Sequence, residues 1–169
     1  TTIENAGSIV AQGAGAKAIA LNDGNHTLVL KSGSTITGGI DVAGGRLAID
    51  TRADATLNGG IVGNAGLQKI GDATLTLGGV NTYSGATSLE QGKLVLTGSL
   101  ASNVTIAHAG TLQVGDGSRA GDLTGATANN GTLVFAQPGN YDYKGALSGS
   151  GSLIKQGPGL LTLSGTYTY

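Results

Sequence analysis

Short apolar runs of the form Leu-x-Leu return at near-regular intervals along this chain, each shut off by glycine. The clearest begin at Leu28, Leu47, Leu75, Leu94, Leu112, Leu133 and Leu161. Four of the intervals are nearly equal, and two, Leu47 to Leu75 and Leu133 to Leu161, are longer. Runs such as Leu75-Thr76-Leu77 and Leu161-Thr162-Leu163 are too short for a helix and carry the two-residue period of a strand. They are bracketed by Asp23-Gly24-Asn25, Gly44-Gly45, Gly78-Gly79 and Gly115-Asp116-Gly117. At such places glycine takes positive φ and lets neighbouring backbone approach closely. The two long intervals read as ordinary steps carrying an insertion, or as one coil and part of another.

Glycine supplies 32 of the 169 residues. That load works against long helices, since each interior glycine costs about 1 kcal/mol relative to alanine. The glycines lack the strict three-residue period of collagen. With no cysteine, disulfides and thiolate-bound metal centres are excluded. A net charge of -1 gives no electrostatic reason to expect nucleic acid as a partner. An antiparallel barrel or sandwich would show tight hairpins and longer strands. A propeller would need longer repeats and more aromatic anchors than five Tyr and one Phe supply.

The step length therefore selects a parallel solenoid. One coil cannot bury its apolar face alone, but stacked coils share a narrow core of Leu, Ile and Val. We read residues 1–169 as all-β, a single parallel β-helix of seven or eight coils or more, each of about 20 residues. At about 4.8 Å per coil it forms a rod of roughly 35–40 Å. Both ends are expected to abut more solenoid.

A second period is longer and sharper. An offset of 86 carries 47–83 onto 133–169, placing Leu67 on Leu153, Lys69 on Lys155 and Gly71 on Gly157. It also places Leu75 and Leu77 on Leu161 and Leu163, Gly79 on Gly165, and Tyr83 on Tyr169. Register held over that span reads as an internal repeat.

The stretches Gly66-Leu67-Gln68-Lys69-Ile70-Gly71, Leu75-Thr76-Leu77-Gly78-Gly79 and Asn81-Thr82-Tyr83-Ser84-Gly85, followed by Gly92-Lys93-Leu94-Val95-Leu96, resemble a passenger-associated repeat. That repeat is found in autotransporters, the type V secreted proteins of Gram-negative bacteria. Ala65 and Ala73 stand where motif glycines are usual, and Tyr167 replaces the asparagine in the second copy. With the strand pattern, the resemblance implies a right-handed parallel β-helix, a segment of a longer passenger toward its membrane-proximal half and able to act as an autochaperone. It further implies secretion or display at the cell surface, anchored through a C-terminal outer-membrane β-barrel. The implied partners are the rest of the passenger and that barrel, and a host-surface protein, a glycan or a second copy.

Residues for chemistry are sparse. His26 and His108 fall about four coils apart and read as solvated turn residues. No G-x-S-x-G elbow accompanies the serines. Asp116 with Asp122, and Asp50 with Asp54, read as turn or surface acids rather than the paired carboxylates of glycoside hydrolysis. Lys69 and Lys155 are expected to lay their stems over a sheet and keep the ammonium in water. Tyr83 and Tyr169 read as half-buried covers. Tyr141 and Tyr143, in a stretch that reads as an insertion with Pro138-Gly139-Asn140, are the candidate contact surface. No catalytic residue, metal ligand or cofactor is expected. The leading reading is a non-enzymatic stalk segment supporting adhesion or virulence. The alternative is a spacer and folding aid for a parent enzyme, such as a subtilisin-like protease or esterase, with its catalytic domain elsewhere. A polysaccharide-cleaving solenoid would need converging acids that these spacings do not assemble.

Overall fold

The computed structural model describes all residues, 1–169, and contains strands and turns with no helix. Every strand pairing is parallel, and each strand's partner lies one coil away along the chain. The chain is an all-β parallel solenoid of eight coils with the start of a ninth.

Three faces make the cross-section. The first holds Thr2–Asn5, Asn25–Leu30, Arg46–Thr51, Gly66–Ile70, Thr127–Asn129, Leu147–Ser148 and Tyr167–Thr168. The second holds Ser8–Val10, Thr35–Thr37, Ala55–Leu57, Thr74–Leu77, Thr132–Ala136 and Ser152–Gln156. The third holds Lys17–Leu21, Gly39–Val42 and Ile61–Gly63, then Val80–Asn81, Ser99–Leu100 and Asp122–Leu123, then Tyr141–Tyr143 and Leu161–Leu163. In coils five and six, Thr87–Leu96 and Val104–Val114 run from the first face round the corner into the second, fusing both into one 15-stranded sheet. Their register shifts between Leu89 and Gln91, where an irregularity absorbs the bend.

Side chains alternate in and out along each strand, so the Leu-x-Leu runs send both leucines inward. Leu75, Leu77, Leu94, Leu96, Leu112 and Leu133 are fully buried, within one core cluster of 29 residues that runs the length of the rod. The two long intervals turn out to be a coil plus part of the next. Leu47 pairs with Leu67 one coil on, while Leu75 belongs to the neighbouring face. Likewise Leu133 pairs with Leu153, and Leu161 lies on the third face beside Tyr141. Tyr141–Tyr143 is thus no insertion but an ordinary strand, in register with Leu161–Leu163.

The same ladders show what an offset of 86 does in space. Leu67 leads through Thr87, Val104 and Thr127 to Leu147, four coils on and still on the first face. Leu153 lies beyond Leu147, on the second face. Equivalent motif positions are therefore separated by four coils and turned by one face.

Candidate functional site

The polar residues of interest gather at the coil corners. A ladder satisfies the backbone within each face, but at a corner the N–H and C=O groups lose their regular partners and must find others. Buried side chains provide them. Asn81 accepts from the Ile61 N–H (3.0 Å) and donates to the carbonyls of Gly79 (3.0 Å) and Ser99 (3.1 Å), bridging three coils. Asn129 accepts from the Gly131 N–H (3.1 Å) and donates to the Ser152 carbonyl (2.9 Å) and the Tyr169 hydroxyl (2.6 Å). Thr51 donates toward the carbonyls of Ala73 (3.1 Å) and Ile70 (3.3 Å), and Gln137 serves both backbone groups of Gly121. Where the second motif copy has Tyr167 in place of asparagine, its hydroxyl accepts from the Gly165 N–H (2.6 Å) and donates to the Tyr143 carbonyl (3.0 Å). None of these corner residues is singled out by the sequence as a polar bridge. The available signal is the asparagine of Asn81-Thr82-Tyr83, a polar residue at an inward position.

Lys69 departs most from its expected placement. It points into the core, between Ile49 and Leu89 in the adjoining coils, and is fully buried. The ammonium is not in water: it donates to the carbonyls of Gly71 (2.7 Å), Gln91 (3.0 Å) and Ile70 (3.1 Å). Burial pushes its pKa down to about 8, opposed by the charges of Asp50 and Asp72. The cause is the strand's phase, which makes position 69 inward-facing. Lys155, on the last full coil, is exposed and donates to the Gly157 carbonyl. Gly71 and Gly157 share positive φ, 83° and 82°, the left-handed turn that glycine tolerates.

The tyrosines also need correction. Tyr83 is buried, not a half-buried cover. Its hydroxyl meets Thr87 Oγ1 at 2.6 Å, and Thr87 in turn meets Ser102 Oγ at 2.6 Å. Burial raises its pKa, partly offset by the hydroxyls of Thr87 and Ser102. Tyr143 is fully buried and donates to the Gly125 carbonyl at 2.8 Å, with Thr127 Oγ1 at 2.9 Å. Tyr141 is half-buried, and its hydroxyl pairs with both backbone groups of Leu123 at 2.9 Å. Burial pushes Tyr141 up to about 12 and raises Tyr143 as well. Both rings pack against Phe135, with centroids 5.7 and 5.5 Å away. These two tyrosines build the seventh coil, Tyr143 wholly inside the core and Tyr141 with part of its ring still at the surface. Tyr169 remains 48% exposed.

His26 is not a solvated turn residue either. It sits in Asn25–Leu30, buried, with Nε2 2.8 Å from the Asn22 carbonyl. His108 is exposed but lies within Val104–Val114, four coils further on. Asp116 accepts from the backbone N–H of Arg119 (2.6 Å) and Ser118 (2.9 Å), which hold its carboxyl below the usual range. Asp50 pairs with Arg52 at 3.0 Å, and Asp54 accepts from the Thr74 N–H at 2.8 Å. These acids close turns and join coils. No three His, Asp or Glu side chains converge.

The remaining motif positions are structural as well. Leu161 and Leu163 are half-buried on the last coil. A Cβ on Gly79 would lie 2.3 Å from the Gly60 nitrogen, and one on Gly165 would lie 2.2 Å from the Gly145 carbonyl oxygen. The arrangement defines a class: a β-solenoid whose motif residues cap corners and fill a core.

Passenger-associated-transport-repeat is the family that matches, over residues 23–49, 67–96 and 153–169. The chain is a β-solenoid carrying these repeats and is similar to autotransporter passengers. Over 96% of its length it is 34% identical to the adhesin BmaC autotransporter of Brucella suis biovar 1 (strain 1330). Two extracellular serine proteases of Serratia marcescens are each 52% identical, over 34% and 31% of the chain. The chain spans only 5%, 6% and 5% of the lengths of these three relatives. No solved structure gives a significant match.

Proposed function

We propose that this solenoid is a structural segment of a secreted or surface-displayed autotransporter passenger, holding distal modules away from the cell. The observation that carries the reading is the continuous core. It is built from Leu-x-Leu runs that match a passenger repeat, with motif polar groups spent on corners and not on a cleft. The parent's anchor would be an outer-membrane β-barrel, and the parent itself an adhesin, as the Brucella relative is named. A second reading, favoured by the two Serratia proteases, makes the same segment the spacer and folding aid of an enzyme.

In either setting the segment seeds folding as the passenger emerges. The test is to place aspartate at Leu75 and Leu77, both fully buried, in the full-length parent. Passenger display is then followed by protease digestion of intact cells. Loss of display and of the protease-resistant core is expected; unchanged display and protection would overturn the reading.

A further inference from the structure

Lys69 is a charged residue in a column of inward-facing aliphatics. Its neighbours in that column run from Leu28 and Ile49 below to Leu89 and Ile106 above. Among these residues only the ammonium needs a particular set of partners, and it has three, all backbone carbonyl oxygens. Two, from Ile70 and Gly71, end its own coil's strand; the third, from Gln91, belongs to the next coil. The room for it is provided at Gly92, φ 73°, where a Cβ would stand 2.8 Å from Nζ and 2.4 Å from the Gly71 oxygen. Asp50 and Asp72 are the acids whose charge it feels, and Asp50 is turned to Arg52 while Asp72 is held by Gln91.

We propose that the corner between coils four and five is a primary-ammonium site built from backbone carbonyls, filled by the chain's own Lys69, and that this occupancy fixes the register of the two coils. The physical need is plain. A Leu-x-Leu ladder slipped by two residues still sets leucine on leucine, so apolar packing alone discriminates weakly between registers. A slipped ladder strands the ammonium among aliphatic side chains, whereas the native one presents it with three oxygens. Buried polar groups used this way specify one arrangement at some loss of stability. The ligand chemistry is that of a primary ammonium: three N–H donors and one positive charge.

The test is chemical rescue. Lys69→Ala removes three methylenes, the last of them bearing the ammonium, and n-propylammonium chloride supplies a cation of matching size. The thermal midpoint of Lys69→Ala is expected to fall below that of the wild type, and to rise saturably with propylammonium. Sodium chloride at equal ionic strength and 1-propanol at equal concentration should not restore it. Restoration by 1-propanol equal to that by propylammonium would show that only the stem mattered and would overturn the proposal. A second arm uses the unaltered protein, whose six lysines include one that is buried. With 15N-labelled lysine, one ammonium signal should exchange slowly with water at neutral pH. Six equally fast signals would overturn the proposal even if the variant does not fold.

Discussion

Substituting alanine at Gly98 isolates the role of glycine in coil stacking. Gly98 has no positive φ, so its backbone would accept alanine. The obstacle is the coil beneath: the new Cβ would sit 2.0 Å from the Gly79 carbonyl oxygen, where ordinary contact begins at 3.4 Å. The corner must therefore open by about 1.4 Å. Two hydrogen bonds cross that gap, Gly98 N–H to the Leu77 carbonyl (3.1 Å) and Ser99 N–H to the Gly79 carbonyl (3.2 Å). Overpacking costs about 1–3 kcal/mol and each weakened bond about 0.5–1.5, against a gain of about 0.4–1 from a stiffer unfolded chain. The net loss is about 1–5.5 kcal/mol, or roughly 2–22 °C in midpoint for a chain of this length. Gly139 is the control, because a Cβ there meets nothing within 4 Å and φ is not positive. Gly139→Ala should be neutral or slightly stabilising. Urea and thermal unfolding followed by circular dichroism compare the two. Equal midpoints for both variants would refute stacking as the reason for glycine at position 98.

Three further outcomes rest on the buried and turn-forming polar groups. Lys69 has its pKa lowered from 10.5 to about 8. The unfolded chain thus holds that proton through a window where the native chain has released it. Stability should rise between pH 8 and 10.5, by up to about 3 kcal/mol, and Lys69→Met should abolish the rise; a flat urea midpoint in the wild type would contradict this. Tyr143→Phe keeps the ring but leaves the Gly125 carbonyl and Thr127 hydroxyl short of a partner in the core, with an expected loss of about 1–3 kcal/mol in urea unfolding. Asp116 has a lowered pKa, so its turn is held above the ordinary carboxylate value and released as pH falls through the lower native one. The amide shifts of Ser118 and Arg119 should follow that titration, and Asp116→Asn should remove the response.

The coil and its core are legible in the sequence because periodicity and glycine placement are local. The Leu-x-Leu runs identify the inward positions, and Leu75, Leu94 and Leu112 are fully buried. Which face each run occupies is not legible, since every face uses the same pattern. The two long intervals resolve only through pairing. Burial of Lys69, Tyr83, Tyr143 and His26 escapes the sequence for a related reason. Polar side chains read as solvent-facing until their partners are in view: Lys69 and Tyr143 reach the Gln91 and Gly125 carbonyls about a circuit away, while Tyr83 and His26 meet Thr87 and Asn22 across a turn. Tyr141 and Tyr143 look like surface aromatics because their neighbours Pro138 and Gly139 suggest a loop, yet their strand pairs regularly with Leu161–Leu163.

The second and third segments matching the repeat family begin at Leu67 and Leu153, on different faces of the rod. This has a consequence for how such a gene can lengthen. A duplicated unit need not encode a whole number of turns, because a triangular section accepts one side of the pattern in place of another. Recombination between copies 86 residues apart would add or remove four coils and a third of a turn and leave the core unbroken. The copies would then spiral about the rod, so no straight track along its flank would display the same motif twice in succession.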